Sequence, residues 1–574
     1  MAQTNKIELL LVSCPSKVID YPSLSLPALT GYLVSKGIKV KQTDLNIEIK
    51  DRLLTEEQLE HLYKIVLPLL LRLNSKDKTQ YDMLKEFYLL LDRINNKHGF
   101  KKIVNLKHSC QQRDYTFLKD ADSKVVLGDI FNISRSLDYL FNIIIQYDKY
   151  FEKNNISFIV FDIVKNVIDR IKFMNPKAIG LSMITTQNNF SLWFAQRIRE
   201  QIGYKGHIFI GGAQPTKFEE IYLYDNKAID SVVSGEGEET VFLLMKHLIE
   251  GNRDFATIPR LIYRIGFEIK KNNNTHYLRD NYCRPYPEYD GFPLEKYLSP
   301  VLPILASSNC PWKKCKFCAH KTAFREAYTE RNSLDVVNEM EHFYQKYGTK
   351  LFHFADETIT AEQGSKISKI IEERALPILW MSFARLDEEF TKEHINQWYR
   401  GGARVIEWGL ESASNKVLES MNKGIRVEKA QEILHVAGSV GIRNKLLTWH
   451  NYPGETIQDL QKTMAFVKKN VQEGFAVPMF TLRNRLVLQV GSELYNECII
   501  NKNKKNYFDK VWLPASQYSI NAKYFNRVND DKAKLILIDA YFQELRKICA
   551  LKDIFVACNE NITFDLLLIQ QKEE

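Results

Sequence analysis

The sequence has no long hydrophobic run and no secretory start. No stretch approaches the roughly 18 consecutive apolar residues of a membrane-spanning helix. The first residues, Met-Ala-Gln-Thr-Asn-Lys, lack the apolar core of a signal peptide. We therefore expect a cytoplasmic protein without a membrane span. Hydrophobic residues make up 45% and charged residues 26% of the 574 residues, which is typical of a globular chain with two or three domains.

Cysteine is sparse, and basic residues are dispersed. The chain has nine cysteines, and the six outside one triplet are too scattered for a disulfide framework, a usage that suits a reducing compartment. The net charge of +9 comes from separate lysine-rich faces without an interleaved aromatic stripe. Nucleic acid is therefore not an expected partner.

Three cysteines stand close together, and no fourth lies nearby. Cys310, Cys315 and Cys318 follow the apolar segment 302–307. A structural zinc site normally has four protein ligands, and His320 could be the fourth. A cubane iron-sulfur cluster held by three thiolates instead leaves one iron open to a small molecule. The triplet alone leaves both alternatives open.

The region around the triplet alternates strand and helix patterns. This alternation predicts a parallel sheet with crossover helices, an incomplete (β/α)6 TIM-like barrel. The six predicted strands are 302–307, 351–355, 379–383, 404–410, 443–450 and 476–482.

Polar side chains follow these strands one after another. Because the carboxyl ends of parallel strands share one mouth, we expect these side chains to gather there with the cysteines. They are Asp356 and Glu357, Arg385, Glu411 and Ser412, and the run Asn451 to Thr456. A zinc-binding module would not require this convergence.

Four motifs resemble those of the radical SAM enzymes, in the family's order over about 180 residues. They are Lys316-Phe317-Cys318, the run 354–358, Gly409-Leu410-Glu411-Ser412 and Pro453-Gly454-Glu455-Thr456. The first cysteine gap is four residues where the commonest family spacing has three. A minority of cobalamin-associated members share the longer gap.

The resemblance implies a 4Fe-4S cluster on the three cysteines, which binds S-adenosylmethionine (SAM) and cleaves it reductively to a 5'-deoxyadenosyl radical. We predict that Asp356 and Glu357 accept hydrogen bonds from the SAM ammonium group and that Arg385 pairs with its carboxylate. Glu411 is predicted to reach the ribose hydroxyls. Phe317 and Ser412 complete the predicted SAM site.

The N-terminal third predicts a doubly wound, Rossmann-like α/β domain. Its strand patterns are 7–12, 40–45, 178–183, 207–210 and 230–233, with a helical insertion at about 47–172. A dinucleotide fold would place Gly-x-Gly-x-x-Gly after the first strand, where this chain has Cys14-Pro15-Ser16. Dinucleotide binding is therefore disfavoured.

Small residues at these strand ends resemble the elements of cobalamin-binding domains. The matching residues are Ser182, the pair Gly211 and Gly212, and Gly235, Glu236 and Gly237. Glycine lets a ligand approach the backbone closely. The chain has no Asp-x-His-x-x-Gly motif, so cobalamin is expected to bind without a histidine ligand. The alternative is a domain that keeps the fold without the corrinoid.

The predicted layout is a cobalamin-binding domain at 1–260, a linker at 261–301, a radical SAM partial barrel at 302–484 and a helical C-terminal cap at 485–574. The expected activity is methyltransferase chemistry, with C-methylation of an unactivated carbon in a peptide or natural product. A cyclase, oxidase or rearrangement enzyme with a non-methylating cobalamin domain is the first alternative. A non-enzymatic zinc-binding module is the second. Flavodoxin or ferredoxin is the expected electron donor.

Overall fold

The protein is described by a computed structural model. The described residues are 6–15, 19–73, 78–149, 158–272, 284–320, 327–477, 485–489, 491–500, 522–523, 529–551, 567 and 569–570. The chain divides into two units, Met1–Ser299 and Pro300–Glu574.

The first unit contains a seven-stranded sheet in the order β2-β1-β3-β4-β5-β6-β7. The strands are β1 (Leu9–Ser13), β2 (Val40–Asp44), β3 (Ala178–Ser182), β4 (His207–Gly211), β5 (Ser231–Val233), β6 (Leu261–Ile265) and β7 (Glu268–Lys271). β1 to β5 pair in parallel, and β6 and β7 add an antiparallel hairpin. The predicted α/β class is confirmed. The hairpin lies in the segment that the sequence predicted as a linker.

Within the described residues, helices occupy the predicted insertion and connect the strands. They are α1 (Ser25–Ser35), α2 (Leu45–Leu53), α3 (Glu56–Leu73), α4 (Lys78–Lys97), α5 (Phe100–Gln111), α6 (Ala121–Gln146), α7 (Ile159–Met174), α8 (Asn188–Ile202), α9 (Ala213–Phe218), α10 (Ile221–Asp225) and α11 (Glu238–Glu250). The stripe of Leu59, Leu62 and Val66 on α3 is buried, as its three-to-four spacing predicts. α3 continues through Pro68.

The second unit contains a five-stranded parallel sheet in the order β14-β13-β12-β11-β8. Its strands are β8 (Leu302–Ile304), β11 (Leu351–Phe354), β12 (Leu379–Ala384), β13 (Ala403–Glu411) and β14 (Arg443–Thr448). Short two-residue strands form two further pairs: β9 (Ser307–Ser308) with β10 (Thr329–Glu330), and β15 (Val487–Leu488) with β16 (Ala522–Lys523).

Five of the six predicted strands therefore form this sheet. Of the predicted sixth strand, Val477 makes a parallel bridge to Lys445. Positions 478–482 of that strand lie outside the described residues.

Helices connect the strands of the second sheet or follow its last strand, and an aromatic layer packs between helix and sheet. They are α12 (Ser333–Tyr347), α13 (Ala361–Glu373), α14 (Lys392–Arg400), α15 (Asn415–Ser420), α16 (Val427–Val440), α17 (Ile457–Glu473), α18 (Glu493–Ile500) and α19 (Asn529–Leu551). Trp398 packs on Trp380 and Phe390, with ring centroids 5.3 and 5.1 Å apart, and Phe390 packs on Trp408. These buried rings fix α14 against β12 and β13, so the loops after those strands start from a rigid base. In the part of the chain that the structure describes, no helix is long and apolar enough to cross a membrane.

Candidate functional site

The three predicted cluster ligands lie in one loop after β8 and β9. Cys310, Cys315 and Cys318 are free and partly exposed, and the Cys318 amide donates to the Cys315 carbonyl over 3.2 Å. Burial is the largest influence on the pKa of two of these thiols. It raises the pKa of Cys315, and it raises the pKa of Cys318 to about 11. The positive charges of Lys423 and Arg385 oppose this increase in the pKa of Cys315. Two cations therefore stabilise the thiolate form that an iron ligand requires.

The histidine that the zinc alternative requires is bound elsewhere. His320 Nε2 lies 3.1 Å from Glu357 Oε2. Within the described residues, no three His, Cys, Asp or Glu side chains converge closely enough to hold a single metal ion. The pairing also occupies one oxygen of Glu357, which remains partly exposed beside the cysteine loop.

Residues distant in sequence hold the cysteine loop at Lys316. Its amide donates to the Met421 carbonyl over 2.9 Å, and its carbonyl accepts from the Leu494 amide over 2.8 Å. Its Nζ lies 3.0 Å from Glu497 Oε1 and 3.7 Å from Glu493 Oε1 on α18. The residue between two of the cysteines is therefore fixed on both sides.

We expect Lys316→Met to shorten the lifetime of the cluster in air by about threefold while leaving its assembly intact. The backbone bonds would remain, and the ion pairs lost are partly exposed and weak, at about 1 kcal/mol or less. Decay of the cluster's visible absorbance in air measures the effect. Lys469→Met, which removes an exposed ion pair with Glu473 on α17, should decay as the wild type does. Equal decay of all three proteins would contradict the prediction.

Asp356 lies too deep for its predicted role at the SAM ammonium group. Its carboxylate accepts from the amides of Ala306 and Ser307 and from the Ser307 hydroxyl, and the residue is 2% exposed. Burial raises the pKa of Asp356 to about 6. This correction makes Asp356 the residue that holds the end of β8, since three donors of that segment occupy its oxygens.

Arg385 is buried beneath the cysteine loop. Its Nη2 donates to the Lys423 carbonyl over 2.6 Å, its Nε lies 3.2 Å from Asp387 Oδ2, and its guanidinium stacks on the Trp312 ring at 4.9 Å. Trp312, Arg385 and Asp387 border a cavity of about 110 Å³. Gly424, at φ +71°, permits this arrangement because a Cβ there would lie 2.1 Å from the Trp312 ring.

Glu411 ends β13 with both carboxylate oxygens engaged. Oε1 lies 2.7 Å from Lys423 Nζ, and Oε2 accepts from Trp449 Nε1 over 2.7 Å. Trp449 packs edge-on against Phe317, with ring centroids 5.2 Å apart. Glu411 is therefore aligned beside the aromatic residue of the cysteine motif. Neither Lys423 nor Trp449 was predicted from the sequence, because their partners lie 12 to 132 residues away.

Ser412, by contrast, is fully buried. Its hydroxyl lies 3.2 Å from Thr463 Oγ1 and accepts from the Ser414 amide over 3.2 Å. The predicted SAM contact is therefore corrected to a packing role, in which Ser412 joins the end of β13 to α17.

In the first unit, small residues line the carboxyl edge of the parallel strands. Ser13, Ser182 and Gly211 stand side by side in register on β1, β3 and β4. The Ser182 hydroxyl lies 3.2 Å from that of Ser25, the first residue of α1. Ser13 is buried and its hydroxyl accepts from Gln187 Nε2 over 3.1 Å, whereas Ser182 and Gly211 are half-buried. Because these two residues lack bulky side chains, a flat ligand could approach the backbone there, which fits a corrinoid nucleotide tail.

The remaining glycines of this edge shape its loops. Gly212 has φ +108°, and a Cβ there would lie 2.7 Å from the Met183 carbonyl oxygen. This glycine is therefore required for packing between the loops after β3 and β4. Gly235, at φ +78°, donates its amide to Thr216 Oγ1, Glu236 pairs with Arg284 at 3.0 Å, and Gly237 precedes the first residue of α11.

Family models match both units. Residues 304–467 match the model described as the radical SAM superfamily, and residues 149–244 match the B12 binding domain. The chain contains a radical SAM domain and a B12-binding domain. This confirms the family that the sequence motifs indicated.

Curated relatives of this chain include proteins named as methyltransferases. An uncharacterized methyltransferase of Pyrococcus horikoshii is 27% identical over 304 residues, which cover 52% of this chain and 65% of that protein. The cytidylyl-2-hydroxyethylphosphonate methyltransferase of Streptomyces wedmorensis is 24% identical, over 58% of this chain and 68% of that protein. The chain thus spans about two thirds of the length of these relatives.

A solved structure has the same fold. The cobalamin-dependent SAM radical enzyme OxsB, with aqua-cobalamin and SAM bound, superimposes with a TM-score of 0.61 at 13% identity, over 99% of this chain and 71% of that chain. A radical SAM domain implies SAM and a 4Fe-4S cluster, and a B12-binding domain implies cobalamin. The free cysteines with their two nearby cations, and the open edge of small residues, fit these groups.

Proposed function

We propose that the chain is a cobalamin-dependent radical SAM methyltransferase that methylates an unactivated carbon. The supporting observation is that one chain combines a three-cysteine loop at the carboxyl edge of a parallel sheet with a B12-binding domain. When bound, the cluster, SAM and cobalamin would supply reductive SAM cleavage and a transferable methyl group.

The proposed roles in the second unit follow from the contacts. Cys310, Cys315 and Cys318 would hold the cluster. Arg385 would bind the SAM carboxylate, because its buried guanidinium is already oriented by Trp312 and the Lys423 carbonyl. Glu411 would accept from the ribose hydroxyls in the orientation that Lys423 and Trp449 impose. Phe317 would shield the cluster side of this site.

Glu357 keeps its proposed role at the SAM ammonium group. Its carboxylate is partly exposed, in contrast to that of Asp356, and its partner His320 holds it beside Cys318. A histidine-carboxylate pair at this position can accept from a cation without a large desolvation cost.

In the first unit, the proposed cobalamin site is the edge formed by Ser182, Gly211 and the loop from Gly235 to Gly237. Gly212 supports this edge through its contact with Met183. We propose that the cobalamin-binding domain extends beyond the expected boundary at 260 to include the β6–β7 hairpin, and that the barrel begins at 302. The protein is proposed to act in the cytoplasm on a peptide or natural product, with electrons from a flavodoxin or ferredoxin.

Reconstitution with and without cobalamin tests the proposed activity. The anaerobic full chain, loaded with iron, sulfide and hydroxocobalamin, is reduced with titanium(III) citrate and given SAM. We expect both 5'-deoxyadenosine and S-adenosylhomocysteine, because radical formation and methyl donation each consume SAM. Without cobalamin, S-adenosylhomocysteine should disappear and 5'-deoxyadenosine should remain. Formation of 5'-deoxyadenosine alone in the loaded enzyme would favour the cyclase or oxidase alternative, and formation of neither product would refute the proposal.

A further inference from the structure

A lysine of the C-terminal helix is buried in the loop that follows β14. Lys534 lies on α19, and its side chain is 2% exposed. Its Nζ donates to the Glu455 carbonyl over 3.0 Å and to Asn451 Oδ1 over 3.3 Å, and lies 3.7 Å from Glu455 Oε2. Three oxygens of one loop therefore converge on one buried ammonium group.

This loop has a constrained shape that the lysine stabilises. Asn451 has φ 68°, in the left-handed region, and donates its amide to Glu455 Oε2 over 2.6 Å. The Glu455 amide in turn donates to the Tyr452 carbonyl. The ammonium group thus binds both residues that close the turn. A buried carboxylate without this cation would carry a large desolvation cost.

The same loop begins at the residue that orients Glu411. Trp449, two residues before Asn451, donates its amide to the Glu411 carbonyl over 3.3 Å and its indole N–H to Glu411 Oε2. A shift of the turn at Asn451 would therefore move Trp449 and, with it, the Glu411 carboxylate.

We propose that Lys534 is a positioning residue for the adenosine part of SAM, acting through the Asn451–Glu455 turn and Trp449 on Glu411. This inference rests on the proposed function, in which Glu411 accepts from the ribose. It assigns to the C-terminal helix a part in SAM binding in addition to its packing against α17.

The same pair of helices provides a matched control. Lys468 of α17 pairs with Glu544 of α19, and both side chains are partly exposed. This ion pair joins the two helices without touching the turn. Loss of either lysine would weaken the attachment of α19 to the rest of the second unit. Of the two, only Lys534 contacts the loop that carries Trp449.

The test measures SAM affinity and iron content in the reconstituted full chain. Lys534→Met should weaken SAM binding in equilibrium dialysis by about tenfold. Its iron and sulfide content should equal that of the wild type, because the cysteine loop is not altered. Lys468→Met should bind SAM within about twofold of the wild type. Wild-type affinity in Lys534→Met would overturn the inference.

A double variant separates positioning from stability. Lys534→Met/Glu455→Gln carries no buried unpaired charge, so it should regain thermal stability, and it supplies the measurement should the single variant not fold. Methionine cannot donate to Asn451 Oδ1 or the Glu455 carbonyl, so SAM affinity should stay low. Recovery of affinity together with stability would reduce Lys534 to a structural ion pair. Absence of SAM binding by the wild type would refute the proposed function itself, a result distinct from all of these.

Discussion

Cys315→Ala is expected to abolish SAM cleavage and to leave the reconstituted protein without its brown colour. Cys315 is one of only three thiols in the loop, so its loss leaves two thiolates to hold a cluster that needs three. We expect production of 5'-deoxyadenosine to fall by at least about 1,000-fold. Iron and sulfide analysis and product chromatography under anaerobic conditions measure the two effects.

The matched control for this substitution is Cys110→Ala. Cys110 is a free, buried thiol on α5 of the first unit. Its truncation should cost about 1 kcal/mol of packing and leave SAM cleavage near the wild-type rate. Full 5'-deoxyadenosine production by Cys315→Ala would remove the assignment of the cysteine triplet.

Asp356→Ala is expected to destabilise the protein by about 3 kcal/mol even without any cofactor. The substitution leaves the amides of Ala306 and Ser307 buried and without their acceptor, and each unsatisfied donor costs about 1–3 kcal/mol. Chemical denaturation of the apoprotein measures the free energy of unfolding. Glu373→Ala, which removes an exposed carboxylate paired with Lys369 at 3.8 Å, should change it by less than about 0.5 kcal/mol.

The pH dependence of this effect has a definite sign. Burial raises the pKa of folded Asp356 from 3.8 to about 6, so the folded protein retains a proton that the unfolded chain has released. The contribution of Asp356 to stability is therefore largest below pH 4 and declines as pH rises to about 6. The stability difference between wild type and Asp356→Ala should narrow over this window. The buried role would be contradicted if the stability difference between the two proteins widened as pH rises. It would also be contradicted if Asp356→Ala apoprotein were as stable as wild-type apoprotein.

The strands were predictable because their signals are local. Apolar β-rich runs such as Leu9–Ser13 and Leu351–Phe354 lie within three residues of their predicted bounds. The motif order also located the cysteine loop and the strand ends, since the carboxyl ends of parallel strands share one edge.

The side-chain partners could not be predicted in the same way. Asp356 stands in a motif that suggests ligand binding, yet backbone donors about 50 residues earlier determine its role. Ser412 is buried by Thr463, a residue of α17 that no local pattern connects to it. Lys534 lies in the mixed-charge run Asp530-Asp531-Lys532-Ala533-Lys534, which is typical of a solvated face, and only the tertiary fold brings it to Glu455. Sequence therefore located the edge of the sheet but not which side chains remain available there.

The anchoring of Lys316 also constrains how the protein matures. The loop between the cysteines is held by the Met421 carbonyl, the Leu494 amide and Glu497, all of which are synthesised more than 100 residues after it. A nascent chain that has not yet extended past Glu497 lacks the anchors at Leu494 and Glu497 when its cysteines leave the ribosome. Iron delivery should therefore be productive mainly after translation has passed α18.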